Sequence, residues 1–411
     1  MTGGFRDRLY VSLKDAARRL LPPSLLAPLF NLAWRLKIVL VMGRLKKIAV
    51  APPGRRYPPG VNLIGPLSLA TGLGEGARLL DAALRAGPEP LAVVDLEREF
   101  SCQAARYDLN IIHLNPPDLA SAWRKLGREA WDGRYNIAFW VWELENFPAA
   151  WRPAFGLFNE IWTPSEFASR AIREETGLPV LTMPYGLAPR AGPGCHRRRF
   201  GLPEDVFLFL IVADAYSALE RKNPLGAAQA FVRAFKPGEA VGLVIKLRRA
   251  PRAFLRRLKA LLAGYPHVYY LEEVLGKAEV NGLIKSVDAF ISLHRAEGFG
   301  LVLAEAMFLG TPCVATNWSA NTEFMTPATA ALVDCELVDI GRDVGPFPRH
   351  GRWAEPDIGQ AAAWLRRLAS EPGLGRSLAA AAAGHIREIL SPAKLSARLS
   401  ARLAEIRHEY F

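Results

Sequence analysis

Short apolar runs alternate with helical periodicity along most of this chain, a pattern that is typical of an α/β protein. Runs such as Val61–Gly65 and Val206–Val212 have the length and composition of buried strands. A turn follows each of them, and apolar residues then recur every three to four positions, as in a helix. Repeated strand–helix pairs favour parallel sheets with helices on both faces, and 411 residues leave room for two or three domains.

The clearest of these units lies between residues 287 and 325. It predicts a strand over Asp288–Leu293, a turn at Glu297–Gly300, a helix over Leu301–Leu309 and a second strand at Cys313–Ala315. Glycines between a strand and a helix let backbone N–H groups approach a ligand closely, and the helix N-terminus favours an anion. The turn therefore suits a diphosphate.

Two carboxylates flank this predicted phosphate pocket. Glu297 precedes the turn, and Glu305 lies one to two helical turns beyond it. Such a pair suits a ligand with both sugar hydroxyls and phosphate, as in a nucleotide sugar. The spacing alone is weak, because Glu89 and Glu97 are also eight residues apart. On residue types alone, a close-packed turn with solvated glutamates remains an open alternative.

The segment EGFGLVLAEAMFLGTPCVAT, which begins at Glu297, resembles the Glu-x7-Glu block of the retaining glycosyltransferases of family 4. The resemblance implies the GT-B fold: two Rossmann-like domains that face across a cleft, with a C-terminal helix that crosses back to the first domain. It implies that Glu297 is a catalytic residue that holds the donor hexose, and that Glu305 holds the ribose. The remaining donor-binding residues that it implies in this block are Gly298, Phe299, Gly300 and Leu301.

We therefore predict four segments. Residues 1–55 form a basic, apolar extension; residues 56–191 form an acceptor-side Rossmann-like domain; residues 192–390 form the domain that binds the nucleotide sugar; and residues 391–411 form the returning helix.

The predicted first domain contains four candidate residues. Gly74, in a glycine loop at a predicted helix start, either binds the donor phosphates, as the resemblance implies, or makes a tight turn. His113, at the end of a predicted strand, is either a catalytic residue near the donor sugar or a satisfied structural histidine. Trp142 and Glu143 follow a strand and suit stacking on an acceptor sugar and binding its hydroxyls. The alternative is the edge of a tryptophan-rich core.

In the second domain, Lys222 and Arg221 precede a helix that begins near Pro224. A cation at that position can balance the negative charge of a diphosphate, although adjacent charged residues on a loop more often lie solvated on the surface. The resemblance assigns Lys222 to the catalytic group and calls for an arginine earlier on this loop. Tyr216 occupies that place, so either Arg221 binds the donor instead or the contact is absent.

Charge and cysteine content restrict the partners and the compartment. The chain has a net charge of +12, which favours anionic partners, yet it contains no recognisable nucleic-acid module. Its four cysteines are scattered, as expected of reduced thiols in the cytoplasm, with neither a disulfide framework nor a zinc motif. No Asp-x-Asp motif is present, and we expect neither a metal nor another cofactor besides the donor itself.

The N-terminal segment combines basic residues with leucine and valine runs. Its most apolar piece, Ile38–Gly43, is far shorter than the ~20 residues that a membrane-spanning helix needs. Two interpretations remain: residues 1–50 lie on an anionic membrane surface, or they form a helical extension packed on the body. The first would place the protein at the cytoplasmic face of a membrane.

The resulting prediction is an enzyme that transfers a hexose from a nucleoside-diphosphate sugar to a glycan or lipid-linked acceptor. Retention and a role in bacterial-type surface polysaccharide or glycolipid synthesis are implied by the resemblance. The alternative is a non-catalytic sugar-binding or nucleotide-sugar-binding protein of the same fold. A dinucleotide-dependent oxidoreductase is disfavoured because no Gly-x-Gly-x-x-Gly follows a strand with a suitable acidic residue downstream.

Overall fold

The computed structural model describes residues 23–54, 56–98, 104–215 and 218–411. Side chains of the first helix are described from residue 32 onward. Two six-stranded parallel sheets, each flanked by helices, account for most of the described chain. The elements of the first half are, in order, α1 (Pro23–Leu45), β1 (Val61–Gly65), α2 (Gly72–Arg85), β2 (Leu91–Asp95), β3 (Leu109–Ile112), α3 (Pro116–Leu126), β4 (Tyr135–Phe139), β5 (Glu160–Thr163), α4 (Glu166–Arg173) and β6 (Val180–Thr182).

The second half follows the same alternation and ends in three helices. Its elements are β7 (Phe207–Asp214), α5 (Leu219–Lys222), α6 (Pro224–Ala234), β8 (Val241–Arg248), α7 (Arg252–Leu261), β9 (Val268–Leu271), α8 (Lys277–Ser286), β10 (Ala289–Ser292), α9 (Leu301–Phe308), β11 (Cys313–Thr316), β12 (Ala331–Val333), β13 (Cys335–Asp339), β14 (Arg352–Pro356), α10 (Ile358–Ser370), α11 (Pro372–Ile389) and α12 (Pro392–Tyr410). The predicted boundary after residue 191 stays a prediction.

Each sheet has one point where the strand order reverses. The first sheet runs β2-β1-β3-β4-β5-β6, so its order reverses between β1 and β3. The second runs β12-β11-β10-β7-β8-β9 and reverses between β7 and β10. The loops that leave the two central strands turn to opposite faces at such a point, which opens a crevice at the carboxyl ends of the strands.

The strands are apolar because helices cover both faces of each sheet. All five residues of β1 and all five of β4 are buried, so these strands appear in the sequence as apolar runs that one asparagine each interrupts. Asn62, Asn110 and Asn136 are buried at neighbouring positions of three strands and hydrogen-bond in a row across the sheet. The row satisfies amide groups that would otherwise be costly to bury.

The last helix returns to the first domain, as the resemblance implied. Arg402 of α12 donates to the fully buried carboxylate of Glu160 at the start of β5, with an Nη2–Oε2 distance of 2.6 Å. Arg407 similarly pairs with Asp108 at 2.7 Å and with Glu89 at 2.8 Å. These partly buried pairs connect the end of the chain to the first sheet.

An antiparallel hairpin, β13–β14, lies outside the two sheets and was not predicted. Its connecting segment brings Phe347 against Trp142 of the first domain, with ring centroids 5.7 Å apart. The hairpin therefore forms a second connection between the two halves of the chain, and this one is apolar.

The N-terminal helix α1 packs on the first domain, which supports the interpretation as a packed extension. Ile38, Met42 and Leu45 are buried against the first domain. Arg35 also pairs with Asp343 in the connection between β13 and β14. Within the described ranges, no helix is both long enough and apolar enough to cross a membrane. The basic residues before 23 lie outside the described part of the chain.

Candidate active site

The candidate site lies where the carboxyl ends of the two sheets face each other. Arg221 and Lys222 follow β7, and the glycine turn at residues 298–300 follows β10, so both flank the reversal point of the second sheet. His113 follows β3 and the loop of Gly74 follows β1, so these flank the reversal point of the first sheet. The four segments predicted from sequence therefore meet at the two places where an open parallel sheet binds ligands.

The glycine turn touches the first domain directly. A Cβ atom at Gly298 would lie 2.6 Å from Val141 Cγ1 and 2.8 Å from the carbonyl oxygen of Trp142. The hydroxyl of Ser165, in the loop after β5, donates to the carbonyl oxygen of Gly298 at 2.7 Å. Gly300 has a φ of +87° and ends the turn at the start of α9. Both glycines are thus required by the geometry, one by close approach and one by its backbone conformation.

Glu297 is the most strongly paired carboxylate of the site. It is buried, forms an ion pair with Lys222, and lies 3.3 Å from Nη1 of Arg221. Its backbone N–H donates to Ser319 Oγ at 2.9 Å. Burial alone would raise the pKa of Glu297, but the charges of Lys222 and Arg221 outweigh it and lower that pKa to about 2. The carboxylate is therefore ionised at any physiological pH.

The two cations differ in what they can reach. The Arg221 side chain is 4% exposed, donates to the carbonyl oxygen of Ala296 at 2.6 Å, and lies 3.6 Å from Glu143 in the first domain. The Lys222 side chain is 23% exposed. Arg221 is thus committed to the backbone before Glu297 and to two carboxylates, so the structure gives it a supporting position. Lys222 is the cation open to a ligand. Tyr216, which occupies the place where the resemblance calls for an arginine, lies outside the described residues.

Glu305 has one satisfied oxygen and one unsatisfied oxygen. Its Oε1 pairs with Lys277 at the start of α8, whereas Oε2 is buried and has no hydrogen-bond partner in the described part of the chain. Burial raises the pKa of Glu305 even though Lys277 opposes the shift. A buried acceptor without a partner is costly, so this oxygen is suited to accept a hydrogen bond from a ligand hydroxyl.

Lys277 also approaches the first domain. Its Nζ lies 4.0 Å from Glu75 in the first turn of α2, and Glu75 pairs in turn with Arg78 at 2.6 Å. Charged side chains from both domains therefore lie together around Glu305, at the end of the cleft that is opposite Glu297.

The glycine loop of the first domain is a packed helix start. Thr71 caps α2 by accepting a hydrogen bond of 3.3 Å from the N–H of Gly74. A Cβ at Gly74 would overlap the carbonyl oxygen of Leu69 and lie 2.9 Å from that of Pro66. The amide of Gly74 is used by the cap and its Cα is closely packed, so the structure shows a packing role for this glycine, and the predicted phosphate contact stays a prediction.

His113 is a buried, neutral residue between the two glycine loops. Its Nε2 lies 2.8 Å from the Tyr185 hydroxyl, and its ring stacks on Phe139 at 4.8 Å. The ring of Tyr185 meets Phe299 of the glycine turn edge-on at 5.1 Å. Burial lowers the pKa of His113 to about 4. At neutral pH the imidazole is therefore uncharged, and its predicted role near the donor sugar stays a prediction.

The two residues predicted to contact the acceptor separate in the structure. Trp142 is buried among Phe147, Trp151 and Phe347, and its Nε1 donates to the carbonyl oxygen of Asn146 at 2.9 Å. Its ring faces are covered, so stacking on a sugar is not supported. Glu143 lies in the cleft beside Arg221, where burial raises its pKa.

Three residues of the site, Lys277, Glu75 and His294, were not predicted as contacts. Lys277 and Glu75 are separated from Glu305 by many residues, and no local pattern connects them. His294 is buried, with Nε2 2.9 Å from Asn321 Oδ1, and lies three residues before Glu297. The only feature of the sequence that could have indicated a role for His294 is its position in the loop directly after a predicted strand. Glu323 accepts from the N–H groups of Glu166 and Phe167 at 2.9 and 2.7 Å, which caps helix α4 of the other domain.

Among the described residues, no group of three or more His, Cys, Asp and Glu side chains is arranged to hold a metal ion. What the site offers is a partly exposed lysine, glycine-turn amides at a helix start, an ionised carboxylate and a buried carboxylate oxygen without a partner among the described residues. This set can bind a ligand that contains both a diphosphate and hydroxyl groups.

Sequence comparison finds a family match within the second half of the chain. Residues 215–339 match the family described as "Glycosyl transferases group 1". This range includes both cations, the glycine turn and both predicted donor carboxylates. The curated proteins include none that matches this chain in sequence.

Solved structures show the same fold at low sequence identity. Anabaena Alr3699/HepE, crystallised with UDP and glucose, is 12% identical with a TM-score of 0.62, over 84% of this chain and 100% of that one. A glycosyltransferase from Rickettsia africae is 13% identical with a TM-score of 0.61, over 86% and 99%. Sucrose-phosphate synthase from Thermosynechococcus elongatus is 16% identical with a TM-score of 0.61, over 86% and 100%. The predicted fold of two facing Rossmann-like domains is confirmed.

Proposed function

We propose that this group 1 glycosyltransferase moves a hexose from a nucleoside-diphosphate sugar to a hydroxyl of a glycan or lipid-linked acceptor. The observation that supports this most is the meeting of the two sheet reversal points, which brings Lys222, Glu297 and Glu305 to one side of a cleft and His113 to the other. Retention of the anomeric configuration, and a role in bacterial-type surface polysaccharide or glycolipid synthesis, belong to the same proposal and rest on the family resemblance.

The donor is proposed to lie along the start of α9. Its diphosphate would accept hydrogen bonds from the backbone N–H groups of the glycine turn, where the helix dipole adds a favourable field. A ribose hydroxyl would donate a hydrogen bond to Oε2 of Glu305, which has no partner among the described residues. Its hexose would lie toward Glu297. This orientation places the sugar at the side of the cleft that His113 borders.

The chemical step needs stabilisation of the charge that grows on the departing diphosphate. Groups already aimed at that charge are usually the largest catalytic contribution. Lys222 is the open cation at the turn, and its pairing with Glu297 restricts its position. No side chain is proposed as a covalent nucleophile; the leaving phosphate would take the proton of the acceptor hydroxyl. We propose that no metal ion takes part.

The acceptor is proposed to enter from the first domain. Glu143 borders the cleft and can accept a hydrogen bond from an acceptor hydroxyl, whereas Trp142 supports the loop from behind. The proposed location is the cytoplasmic face of a membrane, where a lipid-linked acceptor would be found.

Uridine is the base to test first, because the similar Anabaena structure contains UDP and glucose. Thermal-shift measurements with uridine, guanosine and adenosine diphosphates and their sugars would identify the preferred donor. Release of the nucleoside diphosphate from that donor would then be measured with and without candidate acceptors.

The test of the proposal compares wild type with Glu297→Ala and Glu297→Gln. Donor turnover is expected to fall by roughly a hundredfold or more, in keeping with the loss of a charged contact in an active site. Glu336→Ala, on an exposed position of the same domain, is the control and should keep wild-type turnover. Unchanged turnover in the folded Glu297 variants would remove this residue from the mechanism. Donor binding without turnover or transfer to any acceptor would favour the non-catalytic alternative.

A further inference from the structure

The outer face of helix α1 is an apolar stripe that nothing in the described chain covers. Of the six large hydrophobic side chains that are exposed among the described residues, four lie on this helix: Leu32 (55%), Leu36 (56%), Val39 (67%) and Leu40 (63%). At 3.6 residues per turn these four positions fall within an arc of roughly 100°. The helix therefore presents a continuous hydrophobic surface to solvent.

This stripe is separate from the face that attaches the helix to the protein. Ile38, Met42 and Leu45 point to the other side and are buried in the first domain. A helix that needed only to pack on the body would have polar residues on its outer face. Because α1 is apolar on both sides, its outer face is suited to a second apolar surface.

Basic residues border the stripe. Lys37 and Arg44 lie along one edge and are exposed, and Lys46 and Lys47 follow the end of the helix. Arg35 lies along the other edge, paired with Asp343, and Lys37 lies 3.6 Å from Asp118. Between Asp15 and Glu75 the sequence contains no acidic residue. The electrostatic field around the stripe is therefore positive, which excludes a basic partner and favours an anionic one.

We propose that this stripe binds an anionic lipid surface, with the leucine and valine side chains in the acyl boundary and the lysines and arginines at the headgroups. The arrangement of an apolar face with basic edges is that of a helix that lies in a membrane interface. Because the opposite face of α1 is held by the protein, the helix lies on the membrane and does not cross it. This inference rests on the proposed function only in that a lipid-linked acceptor gives such attachment a use.

The experiment measures vesicle binding of the full-length protein without donor or acceptor, so that it is independent of catalysis. Vesicles of phosphatidylcholine alone are compared with vesicles of equal parts phosphatidylcholine and phosphatidylglycerol, and the bound fraction is measured by sedimentation. Wild type should bind the anionic vesicles and bind the neutral ones far less, and added salt should weaken the binding.

Three variants test the surface itself. The combined variant Leu36→Ser, Val39→Ser and Leu40→Ser should lower the affinity for anionic vesicles by about tenfold or more. Lys46→Glu with Lys47→Glu should also weaken it. Val274→Ser, at a side chain that is 72% exposed on the second domain, is the matched control and should bind as wild type does.

The proposal is overturned if wild type binds neither kind of vesicle, or if the triple variant binds as well as wild type. It is also overturned if wild type is a dimer in lipid-free gel filtration and the triple variant a monomer, since a second copy would then cover the stripe. Donor turnover by the triple variant should equal that of wild type. Failure of vesicle binding with turnover intact would remove this surface and leave the proposed function standing.

Discussion

Nη2 of Arg221 in the second domain lies 3.6 Å from Oε1 of Glu143 in the first. The Arg221 side chain is 4% exposed and that of Glu143 is 19% exposed, so this pair joins the two domains out of contact with most of the solvent. Because Arg221 also supports Glu297, the pair connects the position of the first domain to the proposed catalytic carboxylate.

Replacing Glu143 with glutamine removes this charge and keeps the shape of the side chain. We expect the free energy of unfolding to fall by roughly 1–3 kcal/mol, because Arg221 loses one of its two carboxylate partners in a buried setting. Glu145→Gln is the matched control, since Glu145 also pairs across the domains, with Arg352 at 3.2 Å, but in an exposed position. That variant should change by less than about 1 kcal/mol. Equal losses in urea titrations would contradict the buried role of Glu143.

Lys222→Met tests the cation at the glycine turn. The variant keeps the length and apolar stem of the side chain but removes the charge that we expect to stabilise the departing diphosphate. Donor turnover should fall by about a hundredfold, the size of effect seen when one preorganised donor is removed. Lys236→Met, at an exposed position of the same domain, should leave steady-state turnover unchanged. If donor turnover by Lys222→Met falls by less than about threefold, another group must stabilise the charge on the departing diphosphate.

Gly298→Ala tests the close approach of the turn to the first domain. The new methyl group would lie 2.6 Å from Val141 Cγ1 and 2.8 Å from the carbonyl oxygen of Trp142, so the turn or the loop after β4 must move. We expect weaker binding of a nucleoside diphosphate in calorimetric titration, since the backbone amides of the turn move with it. Gly177→Ala is the control, because a Cβ there meets no atom within 4 Å. Identical diphosphate affinities in the two variants would show that the contact at Gly298 is dispensable.

His113 predicts a specific dependence of stability on pH. Its pKa in the folded protein is about 4, against 6.5 for the free side chain. Between these values the unfolded state binds the proton and the folded state does not, so stability falls as the pH drops from 6.5 to 4. The loss should reach roughly 3 kcal/mol and should be absent above pH 6.5.

The variant His113→Gln should flatten this part of the stability profile, measured by urea unfolding at a series of pH values. His196→Gln, at an exposed histidine, is the control and should keep the wild-type slope. If the wild-type and His113→Gln profiles are parallel between pH 4 and 6.5, the histidine does not have the buried, neutral state described above.

The sequence predicts best what is determined locally. The strand predicted over Asp288–Leu293 is observed at Ala289–Ser292, and the helix predicted over Leu301–Leu309 is observed at Leu301–Phe308. The period of the apolar residues, the placement of the glycines and the following proline predict the bounds of these elements to within a few residues of the observed ones. The family resemblance added the two-domain arrangement and the returning helix.

Contacts between distant segments were not predictable from these patterns. The ion pair of Lys277 with Glu305 and the approach of Lys277 to Glu75 depend on how the two domains meet. The burial of Trp142 was also not predictable, because an aromatic residue after a strand has the same local pattern whether it faces a ligand or a core. Part of that burial comes from Phe347, which the distant hairpin brings against it.

The most direct test of the account is a crystal structure of the protein with the nucleoside diphosphate or nucleotide sugar that stabilises it most. We predict that the diphosphate accepts hydrogen bonds from the turn at residues 298–301, that the ribose contacts Oε2 of Glu305, and that Lys222 faces the phosphates. A ligand bound elsewhere, or a glycine turn left without ligand at saturating concentration, would contradict it.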